Sequence, residues 1–123
     1  MRTVFPTVAL CVVSVTALAH HSTSHVDTNR KVDVKGILKG VEFINPHAQF
    51  HLEARDANGK TVTWTFEGPP PGWFRKAGVK QSEFREGIGR EVTIRANPAR
   101  DGSPFGLLEK VIFADGRSVG FSP

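Results

Sequence analysis

Cysteine is nearly absent from the 123-residue sequence: only Cys11 occurs, inside an apolar stretch at the N-terminus. Residues 1–19 carry a single charge, Arg2, then an apolar run from Val4 to Leu18 that ends in Ala17-Leu18-Ala19. A positive end, a hydrophobic stretch and a small-x-small site read together as a secretory signal peptide cleaved after Ala19. Its removal takes away the one cysteine, so no disulfide can staple the mature chain and its core must hold it. Long apolar runs are lacking too. A membrane anchor needs about 20 apolar residues, and this run is shorter and interrupted by Pro6. A lipoprotein is disfavoured, because Leu10 stands before Cys11 where lipidation requires a small residue. The expectation is a periplasmic or secreted protein with no membrane contact after cleavage.

The usual marks of enzymes are missing as well. There is no mature cysteine nucleophile, no glycine-rich phosphate loop and no His-Glu-x-x-His zinc site. The serines lie in ordinary turn contexts, and no two acids stand at a recognisable catalytic spacing. The expectation is therefore a non-enzyme. The formal charge of +4 raises nucleic acid as a partner. Acids interleave the basic segments (Arg85-Glu86, Arg90-Glu91), and export removes the chain from cytoplasmic nucleic acid, so that partner is excluded.

What is present is punctuation and short alternation. Twelve glycines and eight prolines separate periodic segments of β-like length. Residues 20–30 are polar and read as an N-terminal arm, leaving 31–123 as one small domain. Segment 31–44 is a first strand whose apolar residues change phase, from Val32 and Val34 to Val41 and Phe43. Gly36 and Gly40 bracket that change and mark a bulge or bend. In 47–55, Ala48, Phe50, Leu52 and Ala54 share one face, with His47, Gln49, His51 and Glu53 on the other. The turn Asp56-Ala57-Asn58-Gly59 leads into 60–67, with Val62, Trp64 and Phe66 on one face.

Beyond the proline triplet 69–71, a short helix is expected over 73–77 and another helical turn over 82–85. Strands at 90–97, 107–113 and 117–121 complete the chain. The fold class expected is all-β: a small five- to six-stranded antiparallel barrel, OB-like, with one short helix. Phe50, Leu52, Val62, Trp64, Phe66, Val92, Ile94, Val111 and Phe113 should be its buried residues, with Trp73 and Phe74 closing the barrel bottom.

All five histidines, His20, His21, His25, His47 and His51, precede residue 52. Cleavage after Ala19 makes His20 the N-terminal residue, which offers an α-amine and a ring nitrogen to one metal ion. One further imidazole gives a three-nitrogen set suited to Cu(II). His21, His47 and His51 are the candidate third donors. His47 and His51 stand about 13–14 Å apart along a strand, too far to share one ion. His47, entering the strand after Asn45-Pro46, is the preferred partner of His20. Glu67 is the candidate carboxylate that orients a ligating imidazole. The competing reading is a polar arm without a metal, a strand-entry histidine bonded to loop backbone, and an edge carboxylate at Glu67.

These residues carry a resemblance. His20-His21-Ser22 after the leader, Asn45-Pro46-His47, and Trp64-x-x-Glu67 resemble the marks of a family of small secreted bacterial proteins known as a domain of unknown function. The likeness continues through Gly36, Gly59, residues 75–78, Asp101-Gly102 and 114–117. The resemblance implies the same order of β segments and no established activity; His25, His51 and the triplet 69–71 fall outside its pattern. The leading expectation is an exported β-barrel that binds copper through His20, with His21 and His47. The alternative is a metal-free scaffold, or a module for a small ligand or protein partner, working through its barrel face.

Overall fold

A computed structural model describes residues 23–121. Among them are six strands and two α-helices. The strands are β1 (Val32–Glu42), β2 (Gln49–Arg55), β3 (Thr61–Glu67), β4 (Glu91–Pro98), β5 (Phe105–Phe113) and β6 (Ser118–Gly120). The helices α1 (Pro71–Lys76) and α2 (Gln81–Glu86) lie between β3 and β4.

The strands pair in the order β3-β2-β1-β4-β5-β6, and β3 also pairs with β5. Five strands thus close a barrel and β6 extends it from β5. Every pair is antiparallel except β3 with β5, which run parallel through Thr65↔Phe105, Phe66↔Gly106 and Glu67↔Leu107. The expected all-antiparallel barrel is corrected to a mixed one, for a geometric reason. Directions that alternate around a ring of five strands must repeat once, so one pair is forced to be parallel. This strand order, with helix between β3 and β4, is the OB-like arrangement.

β1 is the long bent strand that the phase change announced. Its first half pairs with β4 and its second half with β2, and Gly36 and Ile37 pair with both. A Cβ at Gly36 would stand 2.3 Å from the Glu53 carbonyl oxygen, so no side chain fits where β1 passes β2. The register shifts between Leu38 and Gly40, which places the bulge at Lys39 and turns Val41 and Phe43 onto the inner side.

The helical segment is larger than the one short helix expected. Pro71 sits at the start of α1, where a missing N–H costs nothing, and α2 follows within a few residues. Phe74 and Phe84, both fully buried, drop from these helices into one end of the barrel. There they meet Phe43, Phe50 and Phe121 edge-on or tilted, with centroids 5.0–6.2 Å apart. Trp73 packs on Phe74 and Phe121, so Trp73 and Phe74 do close the barrel at this end.

Three expected core residues are only half-buried: Val62, Trp64 and Phe113. Val62 and Trp64 face the end of the barrel away from the helices. Phe113 ends β5, between Phe84 and the Arg117 guanidinium. The other six, Phe50, Leu52, Phe66, Val92, Ile94 and Val111, are buried. The polar arm is also docked in its described part. A 3-10 turn at Thr23–His25 leads to Val26, fully buried, which bridges Ala99. Asp27 N–H donates to the Pro98 carbonyl and Arg100 N–H to that of His25.

Burial ranks the aromatic substitutions. Phe50→Ala should cost about 3–5 kcal/mol, as expected for a fully buried ring, and Trp64→Ala clearly less. Gly36→Ala should cost about 1–3 kcal/mol, because the obstacle is backbone. Urea unfolding of the three variants checks this order; a Trp64→Ala loss equal to that of Phe50→Ala would contradict it.

Candidate functional site

The β2–β3 hairpin builds the site. Its ladder runs from Arg55↔Thr61 to Gln49↔Glu67, and two further bonds extend it beyond the strands. Gly68 N–H donates to the Ala48 carbonyl at 2.8 Å, and Ala48 N–H donates to the Pro69 carbonyl at 3.0 Å. The proline triplet therefore begins as a continuation of β3 and then starts α1. Through this extension His47, preceded by a cis Asn45–Pro46 bond, comes to lie beside Glu67 and Gly68.

The His47 ring is held at Nδ1. Its Nδ1 lies 3.0 Å from Glu67 Oε1 and 3.2 Å from the Gly68 carbonyl oxygen. Both partners are acceptors, so Nδ1 carries the proton and donates to them. In that tautomer Nε2 carries the lone pair, the form in which an imidazole binds a metal. Both side chains are half-buried, 31% and 22% exposed, so the contact is partly shielded while the ring remains reachable. Glu67 thus lies against the His47 ring, and the Gly68 carbonyl adds a contact to loop backbone.

His51 is engaged at both nitrogens. Nε2 lies 3.2 Å from Glu42 Oε2 and Nδ1 lies 3.3 Å from Thr65 Oγ1. The carboxylate requires a proton on Nε2, and the Thr65 hydroxyl then donates to Nδ1. His51 therefore ties β1, β2 and β3 together on the outer face. His25 packs its ring 5.4 Å from that of Phe105. His20 and His21 lie outside the described residues. Among the described residues, no three His, Cys, Asp or Glu side chains are gathered in a metal-binding group.

Alternation along the chain does not reveal the charged seam between β1 and β4. Asp33 and Arg95 are register partners joined by two bonds of 2.8 Å, a bidentate pair. Lys35 and Glu91 form a second contact, at 3.0 Å. No motif announces these pairs, because they require the β1–β4 register.

These observations define the class: a closed, mixed β-barrel of OB-like topology, with a carboxylate-held histidine at one end of its β2–β3 hairpin. The chain belongs to a family of unknown function (DUF6152), whose profile matches residues 8–109. The matched span contains the positions of His20, His21, His47 and Glu67. No curated protein and no solved structure matches the chain.

Two predictions follow from the electrostatics. Nitrogen NMR of the His47 ring should show the Nδ1–H tautomer, and Glu67→Ala should shift it toward a mixture; an unchanged ring would mean that Glu67 does not set the proton. The second concerns pH. Hydrogen bonding from Arg95 lowers the Asp33 carboxyl pKa, as Ser103 does for Asp101 and Arg117 for Asp115. A lowered folded-state value means that the ionised form stabilises the fold above the ordinary carboxylate range. That contribution disappears as pH falls through the lowered values. The unfolding temperature should therefore drop from about pH 4 downward. Asp33→Asn should flatten part of this slope, and high salt should reduce it because all three groups are exposed. Thermal unfolding from pH 5 to pH 2 tests both statements.

Proposed function

We propose that this chain is an exported, non-enzymatic β-barrel that binds Cu(II) at the N-terminus of its mature form. In this reading the leader is removed before His20. The His20 amine and ring, together with His47 Nε2, make the donor set, with His21 the neighbouring candidate. Glu67 holds the His47 ring in the ligating tautomer. One observation carries the reading: Nδ1 of His47 donates to a half-buried carboxylate and a backbone carbonyl together. Ligating histidines are commonly held in this way.

The placement of residues 23–26 lends support. His25 packs on Phe105, which pairs with Thr65, two residues before Glu67 on β3. Residues 23–25 thus lead to a contact beside β5, whose parallel partner β3 carries Glu67. Five residues span at most about 17 Å, enough to carry the terminus along that side.

The test compares the chain beginning at His20 with one beginning Gly-His20. The extra residue converts the donor amine to an amide and breaks the chelate, so Cu(II) affinity should fall sharply while the barrel stays folded. His47→Ala should weaken binding further, and Glu67→Ala by about 10–100-fold. Protons compete with Cu(II) for the amine and the imidazoles, so affinity should fall as the pH is lowered. Competition against a chelator of known strength gives the values. Equal affinity of the two N-termini would remove the copper reading.

A further inference from the structure

The barrel is closed along only part of its last seam. β3 and β5 pair from Thr65↔Phe105 to Glu67↔Leu107, and the first half of β3 has no strand on that side. The parity of the β2–β3 ladder fixes where its bonding groups point. Asp56 N–H donates to the Lys60 carbonyl, and Gly68 N–H to that of Ala48, so the even-numbered residues between 60 and 68 bond to β2. The odd-numbered ones face the seam, where Thr65 N–H donates to the Pro104 carbonyl. Thr61 and Thr63 face it too, and among the described residues nothing pairs there with their N–H and C=O groups.

Pro104 is the cause. The next rung of a parallel ladder would run from the nitrogen of residue 104 to the Thr63 carbonyl, and proline has no N–H to give. Before Pro104 the chain turns on itself: Ser103 N–H donates to the Asp101 carboxylate, in a run of exposed residues. Thr61 and Thr63 are themselves exposed, so their four backbone groups stand open, alternate ones about 6.5–7 Å apart. Free edges are ordinarily guarded by lysine, proline or a charge on the strand, and β3 has none from Thr61 to Thr65.

The surroundings of this edge select the side chains of an occupant. Val62, between the two threonines, lines a cavity of about 420 Å³ with Val34, Ala54 and Trp64. Charges around that cavity balance. Asp33 meets Arg95, Lys35 meets Glu91, and Arg55 stands beside Asp56.

We propose that the free edge of β3 takes an added strand, an extended and uncharged peptide segment. Its backbone pairs with Thr61 and Thr63, and its central apolar side chain turns into the cavity beside Val62. Only another backbone presents donors and acceptors alternating at this spacing. The site is independent of the copper reading, because Glu67, which holds His47, lies where β3 is already paired with β5.

The test uses the purified protein in EDTA, so that copper plays no part, and the peptide acetyl-Thr-Thr-Val-Thr-Thr-amide. Titration followed by amide NMR should saturate in the millimolar range. Hydrogen exchange of the Thr61 and Thr63 N–H groups should slow about tenfold or more at saturation. Replacing the peptide's valine by aspartate should weaken binding about tenfold, because the charge would meet the apolar wall. N-methylation distinguishes strand addition from apolar contact alone. Methyl groups on the second and fourth residues block one edge of the peptide, and those on the first, third and fifth block the other. One of these peptides should lose binding and the other keep it. Each of four results would overturn the proposal: no saturation at millimolar peptide, unchanged exchange at Thr61 and Thr63, undiminished binding of the aspartate peptide, or equal affinity of the two methylated peptides.

Discussion

One long strand serves both halves of the barrel, and the other elements take their places from it. β1 pairs with β4 along its first half and with β2 along its second, sharing Gly36 and Ile37 between them. A strand can bend between two neighbours only where the backbones approach closely. At Gly36 the approach is such that a methyl group would collide with the Glu53 carbonyl. The bulge at Lys39 then returns the inner face to Val41 and Phe43 beneath the helices. Closure on the far side has a similar requirement. On β5, Gly106 pairs with Phe66 of β3 and Pro98 of β4, and a Cβ there would stand 2.9 Å from the Asn97 carbonyl oxygen of β4. Glycines at these two seams make a ring of five strands possible.

The resulting barrel has unlike ends. At one, the helices deliver Phe74 and Phe84 into a nest of rings, and Arg85 lies over Phe43 at 5.0 Å. At the other, Trp64 and Val62 remain half-covered. The β2–β3 hairpin runs between the two ends, with His47 and Glu67 near the helices and Ala54, Arg55 and Val62 at the other end.

Much of this was legible in residue order. The alternation of Ala48, Phe50, Leu52 and Ala54 and the turn at residues 56–59 located the hairpin, because a strand's side-chain period is two and turns need particular residues. The phase change between Val34 and Val41 located the bulge. Trp64 marks a limit of alternation. Alternation assigns it to the inner face, and it is on that face, yet the face extends beyond the part of the barrel that the helices fill. Val26 shows the opposite failure. A lone valine among polar residues has no period to read, and it is buried because it bridges Ala99, which is distant in sequence. The parallel β3–β5 pair is legible in no single strand, because it arises only when five alternating strands close into a ring.

The sequence by itself determined the local elements, the glycines that the strand crossings need, and the residue types available at the candidate site. Those properties rest on backbone sterics and side-chain period, which act over a few residues. The tertiary structure decided which groups meet. Glu67 reaches His47 only because the ladder continues through Ala48 and Gly68, and His51 is drawn into Glu42 and Thr65 by the register of three strands. Asp33 meets Arg95, and Lys35 meets Glu91, only because β1 and β4 pair in this register. Such pairings join residues far apart in the chain, and no pattern along it carries them.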